Sequence, residues 1–341
     1  MKKRILAVLC VMTLTLSLLT ACGSSQQDSS AQTDKGDSAA SESTATLDYP
    51  KGNITVIVPY GAGGTTDLTT RTLLDNVDLP SGVNFVVENI AGGSGLVGTE
   101  QAMTAKKDGY TLLAVTGDIL LSRAMGATDI DAEASFIPLV CSQYDPYYLI
   151  TKNNSDFDTL EKFIDNVKKG DDSVTVAITG IGTPGGLACM ALQDYFGCSI
   201  KTVTYDSSAS CVVAVTSGEV DATFQPCTAA IGQVEAGELA IIAATSAERS
   251  SVLPDVPTIA ETYEEAADLN LNSVIFICAL EGTDPAIVDY LREAMDAAVD
   301  TAEYEEAVTA SFMMAPAPMS VDEKEAYWPD IYEFYTSYLS E

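Results

Sequence analysis

The sequence predicts an α/β protein in which mostly parallel sheets are flanked by helices. Short runs rich in β-branched residues alternate with stretches of helical periodicity, and glycine-rich turns follow two of these runs. Such alternation is typical of parallel strands joined by covering helices. In open sheets of this type ligands bind at the carboxyl ends of strands, and both glycine turns lie there.

The individual elements follow from these patterns. Strands are predicted at 54–59, 85–87, 111–115, 148–151, 174–178, 201–204, 222–224 and 239–243. Helices are predicted at 66–76, 99–107, 160–168, 187–196, 208–216 and 229–236. The tail is also predicted to be helical, because Asp284 can cap a helix, Pro285 suits its first position, and apolar residues recur at 287, 291, 295 and 299.

The glycine turn after the first strand is the strongest candidate for a binding site. Its glycines leave backbone N–H groups uncovered, and the start of the following helix adds unpaired donors and the positive end of a dipole. A carboxylate fits such a place. We therefore predict substrate contacts from Tyr60, Gly61, Ala62, Gly63, Gly64, Thr65, Thr66 and Asp67.

A second glycine turn, at 180–186, repeats this pattern after the predicted strand 174–178. Two backbone anion sites that face each other across a cleft would suit a ligand with two carboxylates, or with one carboxylate and a polar end. Alternatively, these glycines serve only the conformation of a tight loop, and the threonines cap their own helices. The other predicted substrate-binding residues are Thr116, Gly117, Gly180, Gly182, Thr183, Pro184, Gly185, Tyr205, Asp206, Ser207 and Gln225.

The segment 93–98 matches the G-x-G-x-x-G pattern of dinucleotide-binding proteins, and Asp118 follows about twenty residues later. However, residues 88–91 separate the strand from Gly93, and an equivalent turn already follows the first strand. No cofactor is therefore expected. The glycines at 93–98 either form a tight turn with close helix packing or contact a ligand.

Composition makes several classes of function improbable. Histidine is absent, which removes the commonest general base and the His-dependent catalytic triads and metal sites. A net charge of −32 argues against nucleic acid as a partner and requires an anion to be captured by local amides. The chain has no Walker A motif and no Cys-x-x-Cys pair, so neither an NTPase nor a metal site is expected. Disulfide connectivity is left open.

Residues 1–22 are predicted to be a lipoprotein signal peptide. Three basic residues precede an apolar run at 5–19, and Leu-Thr-Ala-Cys at 19–22 resembles the bacterial lipobox. Cys22 would carry the lipid; the alternative is cleavage elsewhere with an incidental cysteine. Residues 23–48 have almost no apolar side chains larger than alanine and are predicted to be a disordered tether. We thus expect an extracytoplasmic protein anchored to the outer face of the cytoplasmic membrane, or a periplasmic one.

The segment 54–67 resembles the signature of the solute receptors of tripartite tricarboxylate transporters, also called the Bug family of periplasmic binding proteins. Further similar motifs occur in order at 87–98, 108–113, 182–186, 218–221 and 253–261. The resemblance extends over nearly all of the chain after residue 49.

This resemblance implies a two-lobed Venus-flytrap architecture of the type II periplasmic-binding-protein kind. Residues 49–148 plus 245–341 would form lobe 1, residues 149–244 would form lobe 2, and the chain would cross between them near Ile150 and Ala243. The implied function is to bind a dicarboxylate, tricarboxylate or amino acid and to deliver it to membrane permease subunits, without catalysis. A sensor subunit and an exported enzyme acting on a small organic acid are the alternatives.

One departure from the family pattern concerns the ligand. Where the family has Pro-Tyr-Lys-Gly-Gly, this chain has Thr-Tyr-Asp-Ser-Ser at 204–208, so that Asp206 replaces a lysine-like position. Asp67 lies beside the predicted anion site, where it either stabilises a helix dipole or meets a positive group on the ligand. Together these residues suggest a zwitterionic ligand such as an amino acid.

Overall fold

Strands in the described part of the chain form two sheets. The computed structural model describes residues 47–170, 174–310 and 319–340. The strands are β1 (Ile54–Val58), β2 (Phe85–Asn89), β3 (Thr111–Thr116), β4 (Phe136–Pro146), β5 (Tyr148–Lys152), β6 (Thr175–Ile178), β7 (Lys201–Thr204), β8 (Ala222–Gln225), β9 (Leu239–Ala244) and β10 (Asn272–Leu280). The predicted signal peptide, Cys22 and the tether up to residue 46 lie outside the described residues.

Helices cover both sheets. They are α1 (Thr65–Leu74), α2 (Leu96–Met103), α3 (Asp118–Ala124), α4 (Ala132–Ser135), α5 (Leu160–Val167), α6 (Pro184–Phe196), α7 (Ser208–Ser217), α8 (Ile231–Glu235), α9 (Ile259–Thr262), α10 (Pro285–Val299), α11 (Ala302–Ala310) and α12 (Val321–Tyr338). Among the helices of the described ranges, none combines the length and apolar character needed to cross a bilayer.

The two sheets share one arrangement. Their strand orders are β2-β1-β3-β10-β4 and β7-β6-β8-β5-β9. In each, four strands point the same way and one strand, β10 or β5, runs antiparallel to both of its neighbours. The predicted α/β class and two-lobed architecture are confirmed, with one reversed strand in each otherwise parallel sheet. We call the parts built on these sheets the first and second lobe.

The chain passes between the lobes at two adjacent points. Tyr147 lies between β4 of the first sheet and β5 of the second, and Thr245 follows β9 on the way back. The Thr245 hydroxyl donates to the carbonyl oxygens of Tyr147 at 3.0 Å and Leu271 at 2.8 Å. Ile150, near which the resemblance places a crossing, lies within β5 and pairs with β8 and β9. The two crossings are thus hydrogen-bonded to each other.

Alternating side chains of the strands fill the core on both faces of each sheet. In β1, Ile54, Val56 and Val58 pack in a cluster with α10 and α11, whereas Ile57 faces the opposite side. That second cluster contains residues of both lobes and includes Trp328 of α12, whose ring lies 5.1 Å from that of Phe276. The helical tail is therefore part of the scaffold, as the sequence predicts.

The sequence prediction omits β4, the edge strand of the first sheet. Pro138 and Pro146 lie within it, and proline in a run argues against a strand. An edge strand has a free side on which a missing N–H costs no ladder bond, and the pairing of β4 with β10 also contains two register shifts. The local sequence pattern therefore does not predict β4, which is stabilised by its pairing with β10.

Candidate functional site

A cavity lies between the lobes at the carboxyl ends of the strands. Its volume is about 20 Å³, enough for about one water molecule. Its lining consists of Tyr60, Gly64, Thr65, Thr66, Thr116, Asp118, Tyr147, Thr179, Ser208, Pro226 and Ser273. A larger hollow of about 370 Å³ lies between α1 and β2, but only residues of the first lobe line it, so lobe closure cannot act on it.

The amino-terminal end of α1 forms one wall of this cavity. Gly64 is the N-cap and supplies no side-chain bond, and the first-turn amides of a helix have no acceptor within it. Thr65 is 3% exposed, and its hydroxyl has no hydrogen-bond partner. This wall therefore offers backbone donors, a buried hydroxyl and the positive end of a helix dipole.

The opposite wall is the amino-terminal end of α7 in the second lobe. Ser207 is its N-cap and accepts from the Ser210 amide at 3.1 Å. The Ser208 hydroxyl donates to Oε1 of Gln225 at 2.7 Å. A Cβ atom added to Gly64 would lie 3.3 Å from the Ser208 amide nitrogen. The two helix ends that face each other are therefore those of α1 and α7, whereas the sequence pairs α1 with the turn before α6.

The second glycine turn lies beside the cavity. Thr183 caps α6 by accepting from the Gly186 amide at 3.3 Å, and its own hydroxyl donates to the Gly180 carbonyl at 2.7 Å. A Cβ atom on Gly185 would lie 2.7 Å from the Phe224 carbonyl oxygen, and Pro184 is the first residue of α6. These glycines permit close packing, which is the alternative explanation raised by the sequence. Ligand contact by this turn stays a prediction.

The rims of the two lobes touch. The Gly61 amide donates to the Asp206 carbonyl at 3.0 Å, and the Ser122 hydroxyl donates to the Gly182 carbonyl at 3.2 Å. A Cβ atom on Gly180 would lie only 1.9 Å from Oγ of Ser94. The lobes are therefore in contact around the cavity, and its volume of about 20 Å³ is too small for an organic acid unless they separate.

A buried carboxylate, that of Asp118, faces the cavity. Asp118 is the first residue of α3 and is 5% exposed. The Tyr60 hydroxyl donates to its Oδ2 and also lies 3.1 Å from the Ser94 carbonyl oxygen. Burial raises the pKa of Asp118 to about 7, although hydrogen bonds from Tyr60, its own amide and Thr116 act in the opposite direction. The sequence singles out Asp118 only within a dinucleotide pattern and omits it from the predicted site.

The two carboxylates on which the zwitterion hypothesis depends do not line this cavity. Asp67 accepts from Nε of Arg71 at 2.9 Å, the Gly63 amide at 2.8 Å and Nδ2 of Asn89 at 3.0 Å. Burial raises the pKa of Asp67, but these hydrogen bonds outweigh burial and lower it. Asp67 thus stabilises the start of α1. Asp206 is exposed and accepts from the Ser210 hydroxyl at 2.7 Å.

The remaining predicted residues lie around this cavity. Ala62 and Gly63 are exposed, and Tyr205 and Asp206 line a neighbouring hollow of about 400 Å³ together with Gly180. A Cβ atom on Gly117 would lie 3.6 Å from the Tyr335 hydroxyl. The lining residues absent from the prediction are Asp118, Tyr147, Thr179, Ser208, Pro226 and Ser273. Asp118, Thr179 and Pro226 lie within two residues of the ends of β3, β6 and β8. Their position at strand ends could have identified them from the sequence, because ligands bind there in open α/β sheets.

The G-x-G-x-x-G segment has a packing role. A Cβ atom on Gly98 would lie 2.6 Å from the Ile90 carbonyl oxygen, and one on Gly95 would lie 3.1 Å from the Tyr60 hydroxyl. The cysteines at 141, 189, 198, 211, 227 and 278 are all free thiols. Within residues 47–170, 174–310 and 319–340, no group of three or more acidic or cysteine side chains is arranged to hold a metal ion.

Comparisons with known proteins identify relatives of this chain. A family model described as "Tripartite tricarboxylate transporter family receptor" matches residues 69–328. Protein BugT of Bordetella pertussis is 29% identical over 266 residues, which cover 77% of this chain and 81% of BugT.

Two solved structures share the fold. Periplasmic binding protein BugD has a TM-score of 0.79 at 23% identity, covering 86% of this chain and 98% of BugD. MatC from Rhodopseudomonas palustris with bound malate has a TM-score of 0.79 at 22% identity, covering 85% of this chain and 99% of MatC.

Proposed function

The chain belongs to the tripartite tricarboxylate transporter family of receptors, and we propose that it binds a small carboxylate-bearing metabolite between its two lobes. The observation that carries this proposal is the cavity into which the amino-terminal ends of α1 and α7 converge from opposite lobes. Amides at helix starts suit a carboxylate without a basic side chain. Among the described residues that line the cavity, none is lysine or arginine.

Binding would favour closure because each lobe supplies only half of the contacts. A ligand in the separated form meets either α1 or α7, and only the closed form brings both to it. Since a ligand shifts an equilibrium by its differential affinity for the two states, a carboxylate stabilises the closed receptor. The hydrogen-bonded crossings at Tyr147 and Thr245 would act as the hinge.

The malate bound to MatC supports a small carboxylic acid as the class of ligand. Backbone capture also fits a chain whose net charge of −32 repels anions at long range. The family is one of receptors, and we propose no reaction.

We further propose that Cys22 carries a lipid and that residues 23–48 hold the receptor off the outer face of the cytoplasmic membrane. This rests on the lipobox-like sequence at 19–22 and on the polar composition of the segment that follows. The partner that receives the ligand would be the permease subunits of a tripartite transporter, as the family description implies.

A thermal-shift screen tests the proposed ligand class. Purified receptor would be heated with monocarboxylates, dicarboxylates, tricarboxylates and amino acids, and with succinamide as a control that keeps the size but lacks the charge. A ligand at a hundredfold excess over Kd stabilises the folded state by about 2.7 kcal/mol. At least one acid should raise the melting temperature while succinamide does not. If no carboxylate-bearing compound does so, the proposal fails.

A further inference from the structure

Asp118 places a negative charge inside a site whose other features favour anions. Its carboxylate lines the same cavity of about 20 Å³ as Thr65 and Ser208, at the starts of α1 and α7. A bare carboxylate repels a bound anion, and the repulsion is strong in a buried site where the effective dielectric constant is low. The site therefore contains one group that a simple dicarboxylate does not satisfy.

Asp118 has no cationic partner among the described residues. It takes part in none of the salt bridges among the described residues. The hydroxyl groups of Tyr60 and Thr116 and its own amide stabilise the charge. The other titratable groups near it are the phenols of Tyr147, Tyr327 and Tyr335. Each of these phenols is neutral at pH 7, so no cation among the described residues compensates the ionised carboxylate.

An uncompensated buried charge is costly and persists where a partner of opposite charge arrives, or else it takes up a proton. A polar group of the same cavity also lacks a partner, because the buried Thr65 hydroxyl has none. Thr65 belongs to the anion-binding wall. The same cavity is thus lined by Asp118, which lacks a cationic partner among the described residues, and by the Thr65 hydroxyl, which lacks a hydrogen-bond partner.

We infer that the ligand of this receptor is a small α-amino acid whose carboxylate lies at the starts of α1 and α7 and whose ammonium group lies against Asp118. This inference rests on the proposed function and narrows its ligand class. The carboxylate that meets the ammonium group is then that of Asp118, and not that of Asp67 or Asp206 as the sequence suggested.

Matched ligand pairs provide the test. Calorimetry would compare aspartate with succinate, glutamate with glutarate, alanine with propionate and valine with isovalerate, which differ within each pair only by the α-ammonium group. At pH 8 the wild type should bind at least one amino acid ten times more tightly than its ammonium-free partner. The Asp118→Asn variant should lose this preference. Asp75→Asn, which removes an exposed acid at the end of α1, should keep it.

The pH dependence of the wild type gives a readout that needs no variant. An ammonium group requires ionised Asp118, so the affinity for the amino acid should fall as the pH is lowered from 8 to 6. A dicarboxylate would instead bind more tightly at pH 6, when Asp118 is protonated.

The outcomes separate this inference from the proposed function. Tighter binding of the ammonium-free acid at pH 8, or binding of a tricarboxylate alone, overturns the amino-acid inference and leaves a carboxylate receptor. A pH slope of the opposite sign overturns it as well. If no carboxylate-bearing compound binds at all, the proposed function itself is wrong.

Discussion

The hydroxyl group of Tyr60 donates a hydrogen bond to Oδ2 of Asp118 and so joins the turn after β1 to the start of α3. Gly95 lies directly against the Tyr60 ring, where an added Cβ atom would be 3.1 Å from the hydroxyl oxygen. All three residues belong to the first lobe. The orientation of Asp118 is therefore set before the second lobe closes, because contacts within the first lobe alone position its carboxylate for an incoming ligand.

The stability of the protein should depend on pH through Asp118. Burial raises its pKa from an ordinary value of 3.8 to about 7, so the folded state disfavours the ionised form. The contribution of Asp118 to the free energy of unfolding is therefore fully present below pH 4, and it is lost as the pH rises to about 7 and beyond. Asp118→Asn, which does not titrate, should be more stable than the wild type at pH 8 by up to about 4 kcal/mol.

Urea denaturation of both proteins at pH 4.5, 6 and 8 would measure this difference. The advantage of Asp118→Asn should grow with pH over this range and level off above pH 8. An advantage that is constant across the three values would mean that Asp118 does not titrate as the burial of its carboxylate implies.

Two threonines of α1 form a matched pair. Thr65 and Thr70 are both buried, and neither hydroxyl has a hydrogen-bond partner, but only Thr65 lines the cavity. Replacing either with valine removes an unsatisfied buried hydroxyl, so stability without ligand should be unchanged or about 1 kcal/mol higher. Only Thr65→Val should weaken ligand binding, by roughly tenfold, because a hydrogen bond to a charged group contributes about 1.5 kcal/mol or more. Calorimetry with the compound that gives the largest thermal shift would decide, and equal affinities for the two variants would count against contact by Thr65.

The absence of a side chain at Gly64 is expected to allow the close approach of the two lobes. Its φ of −76° is open to any residue, so alanine causes no backbone strain. The added methyl group would nevertheless lie 3.3 Å from Cβ of Ser207 and from the Ser208 amide nitrogen. We expect Gly64→Ala to raise the Kd several-fold and to cost only some tenths of a kcal/mol in stability through the poorer helix cap.

Gly52→Ala is the control for this change, because a Cβ atom there would have no neighbour within 4 Å. Its Kd should equal that of the wild type. A Gly64→Ala variant with wild-type affinity would show that binding does not require the tight approach of α1 and α7.

Asp67 should stabilise the fold in a pH-dependent way. Hydrogen bonds from Arg71, Asn89 and the Gly63 amide outweigh burial and lower its pKa, so its contribution is present above pH 4 and is lost as the pH falls through the lowered value. Asp67→Asn should reduce the free energy of unfolding at pH 7 by about 1.5 kcal/mol, the lower end of the range for a hydrogen bond to a charged group. Thermal denaturation at pH 7 and pH 3 would show a smaller difference between the two proteins at the lower pH, and a difference that is as large at pH 3 as at pH 7 would contradict this account.

Cys22 should bear diacylglycerol if the lipobox-like sequence is processed as proposed. Cells fed a radioactive fatty acid should incorporate label into the wild-type protein, and Cys22→Ala should be unlabelled and either released or left unprocessed. Cys10→Ala, within the signal peptide, is the control and should keep the label. Label that persists on the Cys22→Ala protein would exclude lipid attachment at this residue.

Local pattern was sufficient for much of the fold and for one wall of the candidate site. The run before Pro59, the bare glycines and the helical periodicity after them are neighbours in sequence, and they form β1, the turn and α1 as predicted. The sequence pattern did not predict the directions of all strands. β10 and β5 are reversed because the chain enters each sheet from the other lobe, and the side-chain alternation within a strand does not depend on the direction of its neighbours.

By itself, the sequence determined that the chain folds into α/β lobes with a helix start that suits a carboxylate, because strand runs, turns and caps depend on residues within one or two turns of each other. Only the tertiary structure decided which helix start faces α1 and which acid faces the cavity. Ser208 and Asp118 lie far apart in the chain and on different lobes, and packing of the two sheets brings them to one cavity. Burial then gives Asp118 its raised pKa, since desolvation is a property of the folded surroundings and not of the residue.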